Sequence, residues 1–151
     1  MKKLTEYTAE HAVVFAVGGL AYGTIEMLFR GHTHWTMLLT GGACFAAIYA
    51  IERRYFYVSL WKRCLAGSAV ITATELVVGC IVNLALGWRV WDYSERALNI
   101  FGQICPLYSV AWMLLCIPAT SVCRGLRNTF FTLKQKGGCE LEKQEREDKA
   151  Q

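Results

Sequence analysis

Four stretches of this chain carry no charge at all: residues 12–25, 36–51, 76–88 and 104–123. A helix of about 20 apolar residues spans the ~30 Å hydrocarbon core of a bilayer. Extended to their natural ends, the runs predict transmembrane helices over 12–29, 35–51, 65–88 and 104–123. The second is the shortest, and its 17 residues reach about 26 Å at ~1.5 Å per residue. The alternative is a set of buried helices in a soluble core. A chain of 151 residues, 54% of them hydrophobic, has too little polar sequence to cover four such helices. The expected fold is therefore all-α and integral to a membrane: a four-helix transmembrane bundle over 1–136, with a charged tail over 137–151.

Charge placement sets the expected topology. Lys2, Lys3, Arg53, Arg54, Lys62, Arg63, Arg124, Arg127, Lys134 and Lys136 fall on one side of such a bundle, and only Arg30, Arg89 and Arg96 on the other. The positive-inside rule then puts both termini and the loop 52–63 in the cytoplasm. The loop's aromatics and cations suit a lipid headgroup interface. This excess of base calls for no nucleic-acid partner. Lys2 and Lys3 before an apolar run resemble a signal peptide, but the polar spacer Thr5–His11 and the pair Tyr22/Glu26 favour a retained helix.

Local signals refine each element. Gly18, Gly19 and Gly23 in the first helix, and Gly41, Gly42, Ala43, Ala46 and Ala47 in the second, offer smooth faces for close packing. Thr72, Glu75, Gly79 and Asn83 form a small or polar stripe on the third, expected to face the first helix. Asp92 or Ser94 is placed to cap a short interfacial helix over 95–103, with Glu95 in its first turn. Pro106 fits the first turn of the fourth helix, and Pro118 should kink it. Gly137–Gly138 should end the amphipathic stretch after Arg124, leaving a solvated cytoplasmic tail.

The chemistry-bearing residues cluster between the helices. Glu26 and Arg30 stand four apart in the favourable order for an ion pair. Glu75 lies near mid-membrane, where a carboxyl needs a partner or a cavity and can carry a proton. Its expected partners are Glu26, Tyr22, Asn83 and Gln103. His34 and Trp35 follow Arg30; Trp91, Asp92 and Tyr93 follow the third helix. If both loops are outer, they can converge on Arg30, with Asp92 or Glu26 as its counter-ion. The candidate ligand-binding or gating set is Glu26, Arg30, His34, Trp35, Glu75, Asn83, Trp91, Asp92, Tyr93 and Gln103. The bland readings compete at each position: a structural ion pair, a loop staple and an aromatic belt.

No metal and no cofactor is expected. The seven cysteines form no CxxC pair, and most lie in apolar helices, where Cys acts as a small hydrophobe. No P-loop, GxSxG or HExxH occurs, so no catalytic residue is assigned and the chain does not read as an enzyme.

Taken in chain order, Tyr22-x3-Glu26-x3-Arg30-Gly31-x2-His34-Trp35, Gly41-Gly42-x-Cys44, Glu75-x3-Gly79-x3-Asn83, Val90-Trp91-Asp92-Tyr93-Ser94 and Asn99-x2-Gly102-Gln103-Ile104-Cys105 resemble a bacterial membrane family. It is the family described as putative ABC-transporter type IV, or ABC transporter permease. The resemblance covers roughly Phe15 to Trp112. One departure is Ala97, where the family pattern carries a proline. The resemblance implies a small bacterial inner-membrane protein of transport type, permease-like, with a polar site on its outer side. It also implies membrane lipids as surroundings, and a homo-oligomer or a partner subunit such as an ATPase. The rival expectations are a membrane assembly protein, and an outer-leaflet lipid- or precursor-binding protein.

Overall fold

A computed structural model describes residues 2–148 of the chain, with side chains described from Tyr7 to Leu133 and at Gln135. Four α-helices follow one another: α1 Lys2–Arg30, α2 Trp35–Arg54, α3 Leu60–Gly79 and α4 Pro106–Asp148. A π-helical turn, Cys80–Ala85, extends α3. Among the described residues, four helical segments are long and apolar enough to cross a membrane: Tyr7–Arg30, Trp35–Arg54, Leu60–Ala85 and Pro106–Leu133.

α1 lies along α2 and α3 along α4, while α2 also touches both α3 and α4. The α1 and α4 backbones are close at few points, with the Tyr22 and Trp112 rings 5.9 Å apart across the gap, and the α1 and α3 backbones do not approach each other among the described residues. Glycine makes the α1–α2 seam. A Cβ on Gly19 would stand 2.6 Å from the Leu38 carbonyl oxygen, and one on Gly42 would stand 2.8 Å from that of Phe15. The core where α2, α3 and α4 meet holds Cys44, Ile48, Cys64, Ile71, Trp112 and Cys116.

Several boundaries differ from the sequence reading. α3 begins at Leu60 rather than Leu65, which shortens the α2–α3 connection to Tyr55–Ser59. The reason is electrostatic: Arg63 folds into the bundle and pairs with Glu52. No helix forms over 95–103; the segment is a set of turns closed by a bridge between Ile100 and Ile104. Leu98 (φ 57°), Phe101 (φ 54°) and Gly102 (φ 68°) adopt left-handed backbone, which an α-helix cannot contain. α4 passes through both Pro118 and Gly137–Gly138 to Asp148. Two glycines cost about 2 kcal/mol of helix propensity, less than is needed to stop a helix whose nucleus is already formed. The last tail residues, 149–151, lie outside the described residues.

One end of the bundle carries the start of α1, the C-terminal part of α4 and the loop Tyr55–Ser59. The other, the loop end, carries residues 31–34 and 86–105.

A polar basin and a furrow at the loop end

At the loop end, the C-terminal turn of α1 presents Glu26 and Arg30 on one face. Glu26 is 5% exposed, yet both its oxygens are satisfied. Arg30 Nη1 donates to Oε1 at 2.9 Å, and the Thr33 hydroxyl donates to Oε2 at 2.6 Å. Gly31 makes the second bond possible, since its left-handed backbone (φ 71°) turns the chain back over α1. Arg30 Nη2 donates to the Val90 carbonyl at 2.6 Å, so one guanidinium joins α1 to the loop after α3. The two loop clusters thus meet at Arg30. Its counter-ion is Glu26; Asp92, the other sequence candidate, binds elsewhere.

Asp92 is exposed and closes a turn on itself, with Oδ1 accepting from the Ser94 amide at 2.8 Å and from the Ser94 hydroxyl. These two donors, the hydroxyl first, hold its carboxyl below the usual carboxylate range. Tyr93 stacks on Tyr108 of α4, ring centres 4.4 Å apart.

Asn83, Trp91 and Gln103 form a staple instead of an open site. Asn83 Nδ2 donates to Gln103 Oε1 at 2.7 Å, and Asn83 Oδ1 accepts from the Val90 amide at 2.6 Å. The Trp91 indole donates to the Gln103 carbonyl at 3.0 Å. His34 is the N-cap of α2, accepting from the Thr36 amide, and its ring packs with Trp35 and Trp88. Trp35 is 56% exposed, as a headgroup-level aromatic would be.

Glu75 is 3% exposed and accepts from the Trp112 indole at 2.7 Å. None of the partners expected from sequence, Glu26, Tyr22, Asn83 or Gln103, makes that bond. The stripe on α3 turns to α4 and the 86–105 loop rather than to α1. Thr72 meets Ser109, Glu75 meets Trp112, and Gly79 gives room to Gln103 and Trp91. The cause is α2, which lies between α1 and α3. Trp112 escapes a sequence reading because a tryptophan inside an apolar run reads as core or belt.

Two neighbouring spaces result. A basin of about 650 Å³ opens at the loop end, lined by Glu26, Arg30, Asp92, Tyr93, Arg96 and Tyr108 among others. Below it, a furrow of about 260 Å³ runs among α1, α2, α3 and α4, over Gly18, Ala21, Cys44, Ile48, Ala119 and Val122. Tyr22, Ile25, Trp112, Leu115 and Pro118 border both, and Glu75 sits in the furrow wall.

The other end has a second polar group that the sequence does not single out. Arg63 donates twice to Glu52, at 2.7 and 2.6 Å, and Arg124 Nε stands 3.5 Å from the same carboxylate. Tyr49 and Arg53 both donate to Glu10, at 2.6 and 3.1 Å. The carboxylates Glu10 and Glu52, each flanking an apolar run, are a sequence signal, but Tyr49 and Arg53, which bond Glu10, and Arg63, which bonds Glu52, lie on other elements.

Fold and site together define a small polytopic membrane protein with a polar basin at one end of its bundle. The chain belongs to the family described as putative ABC-transporter type IV, whose model matches residues 11–138. It is thus an ABC-transporter-related membrane protein. No curated protein and no solved structure matches it.

Proposed function

We propose that the chain is a permease-like subunit of the bacterial cytoplasmic membrane that receives its ligand in the basin at Arg30. The observation that carries this reading is the basin itself, about 650 Å³ in volume and open at one end of four spans. Its charged groups come from α1 and from the 86–105 loop, two segments joined by the Arg30–Val90 bond. A structural ion pair alone needs no such opening. The charge asymmetry favours the basin as the outer face, with both termini cytoplasmic.

The chain carries no catalysis of its own in this reading. The α1 and α4 backbones are close at few points, so a closed path through the bundle needs a further wall. A second copy or a partner subunit supplies it, and the family membership favours an ATPase in the assembly. Glu75, at the furrow, is the group placed to take a proton or a polar contact midway through.

Reconstitution tests this directly. Purification under mild conditions should bring down a nucleotide-hydrolysing subunit, and vesicles holding the assembly should move a solute only with ATP present. Persistent isolation of the chain alone, inert in every flux assay, would remove the permease reading. Orientation has its own test. A cysteine introduced at His32 or Glu95 should react with an impermeant maleimide from outside intact cells. Reaction only from the cytoplasmic side would invert the topology.

A further inference from the structure

We infer that the basin and furrow together hold one zwitterionic phospholipid, its phosphate at Arg30 and Arg96, its ammonium at Asp92, and one acyl chain between α1 and α4. The inference rests on the proposed outer-face orientation only for which leaflet supplies the lipid.

The first support is the charge left over after internal pairing. Glu26 is already engaged, since Arg30 and Thr33 use both its oxygens. Arg30 has five N–H donors and gives two of them to Glu26 and Val90. Its side chain remains 33% exposed. The Arg96 side chain is exposed and makes no ion pair or hydrogen bond among the described residues. Both bonds to Asp92 fall on Oδ1, which leaves Oδ2 able to accept. The basin thus offers guanidinium donors to a phosphate and a carboxylate oxygen to a cation. A purely anionic headgroup would answer the arginines and meet Asp92 unfavourably. A zwitterion answers both. The stacked pair Tyr93–Tyr108 borders the same space and presents aromatic surface to an ammonium.

The second support is the shared border of basin and furrow. Tyr22, Ile25, Trp112, Leu115 and Pro118 border both, with the Tyr22 and Trp112 rings 5.9 Å apart, so a headgroup in one lies against the mouth of the other across side chains that can turn aside. The third is length. From Trp112 to Val122 the furrow follows α4 for about 15 Å at ~1.5 Å per residue. That is half the ~30 Å hydrocarbon core, the depth of one leaflet. Because the α1 and α4 backbones are close at few points, a chain can enter sideways from the bilayer.

The test uses the full chain in nanodiscs containing trace photoactivatable phosphatidylethanolamine or phosphatidylglycerol, with the reactive group midway along the acyl chain. Adducts should concentrate on Ala21–Ile25 and Leu115–Val122 with the ethanolamine lipid. The glycerol lipid should label these segments about tenfold less, the worth of one charge-assisted bond. D92N should erase that preference, and R96Q should lower labelling by both lipids. Both residues are exposed, so the bundle should fold in either variant. A119F, which fills the furrow, should remove labelling there and leave the lipid-facing side of α3 labelled. Equal labelling by the two lipids would overturn the proposal. So would adducts no denser in the furrow than on Leu65 or Val77, or chain-to-chain crosslinks showing a second copy in the furrow. Lipid labelling without flux would sink the permease reading and keep this inference. ATP-driven flux of a water-soluble solute without furrow labelling would do the reverse.

Discussion

Two buried carboxylates in this chain are held by different chemistry, and single substitutions should separate them. Glu75 takes one neutral bond from Trp112. Glu75→Gln keeps an acceptor and should cost little. Glu75→Leu strands the indole N–H and should cost about 1–3 kcal/mol, read as a lower unfolding midpoint in detergent. Should the Gln variant prove as damaging as Leu, the carboxylate's charge matters and a hydrogen-bonding strut is the wrong description. Glu26 instead depends on a cation. Arg30→Gln weakens one of its two bonds and should cost about 2 kcal/mol, less than a fully buried pair because Arg30 is partly exposed. Adding Glu26→Gln should recover most of that loss. Asp92 gives a pH dependence with a definite sign. Its ionised form is favoured by the Ser94 donors, so its contribution to the turn is complete above the ordinary carboxylate pKa of ~3.9 and fades as pH falls through the lower folded value. Exchange of the Ser94 amide should quicken in that acid window, and Asp92→Asn should remove the step. At this scale the Glu26–Arg30 pair is legible in the sequence, because both partners lie on one helix at a spacing that brings them together. Trp112 as the partner of Glu75 is not, since no local spacing links residues on α3 and α4.

Helices are the level at which the sequence speaks most clearly here, and its failures have identifiable causes. The four apolar runs appear as four helices because the bilayer-length criterion depends on composition alone. The segment 95–103 reads as helix because its apolar residues match an amphipathic pattern, whereas Leu98 and Phe101 take left-handed backbone that no side-chain pattern announces. Arg63 reads as loop because a charge in an apolar segment usually marks its end; Glu52 supplies the partner that brings it inside. The glycines of α1 and α2 do form the packing face their clustering suggests, and their contacts allow a graded prediction. Gly19→Ala and Gly42→Ala drive a Cβ into backbone oxygen at 2.6 and 2.8 Å, and each should destabilise by about 1–3 kcal/mol. Gly125→Ala meets nothing within 4 Å and should instead stabilise α4 by about 0.5–1 kcal/mol. Thermal unfolding in one detergent, all three variants side by side, checks the ordering. Equal effects would mean that helix propensity, not the seam, governs.

For the whole molecule, the number of spans is readable from the chain, but their arrangement is not. Nothing local says that α2 separates α1 from α3, or that α1 and α4 stand apart over a furrow. The length of α4 is likewise hidden by Gly137–Gly138. Gln135→Pro should cut its helical continuation and lower the far-ultraviolet helix signal by roughly a tenth, as the turns beyond the break lose their support. The bundle's unfolding midpoint should not move; if it does, the extension packs on the bundle. The 43 residues of α4 make a rod about 64 Å long, twice what the ~30 Å hydrocarbon core requires. The excess lies beyond the apolar span Pro106–Leu133, so any tilt of α4 is magnified at its far end into a lateral sweep.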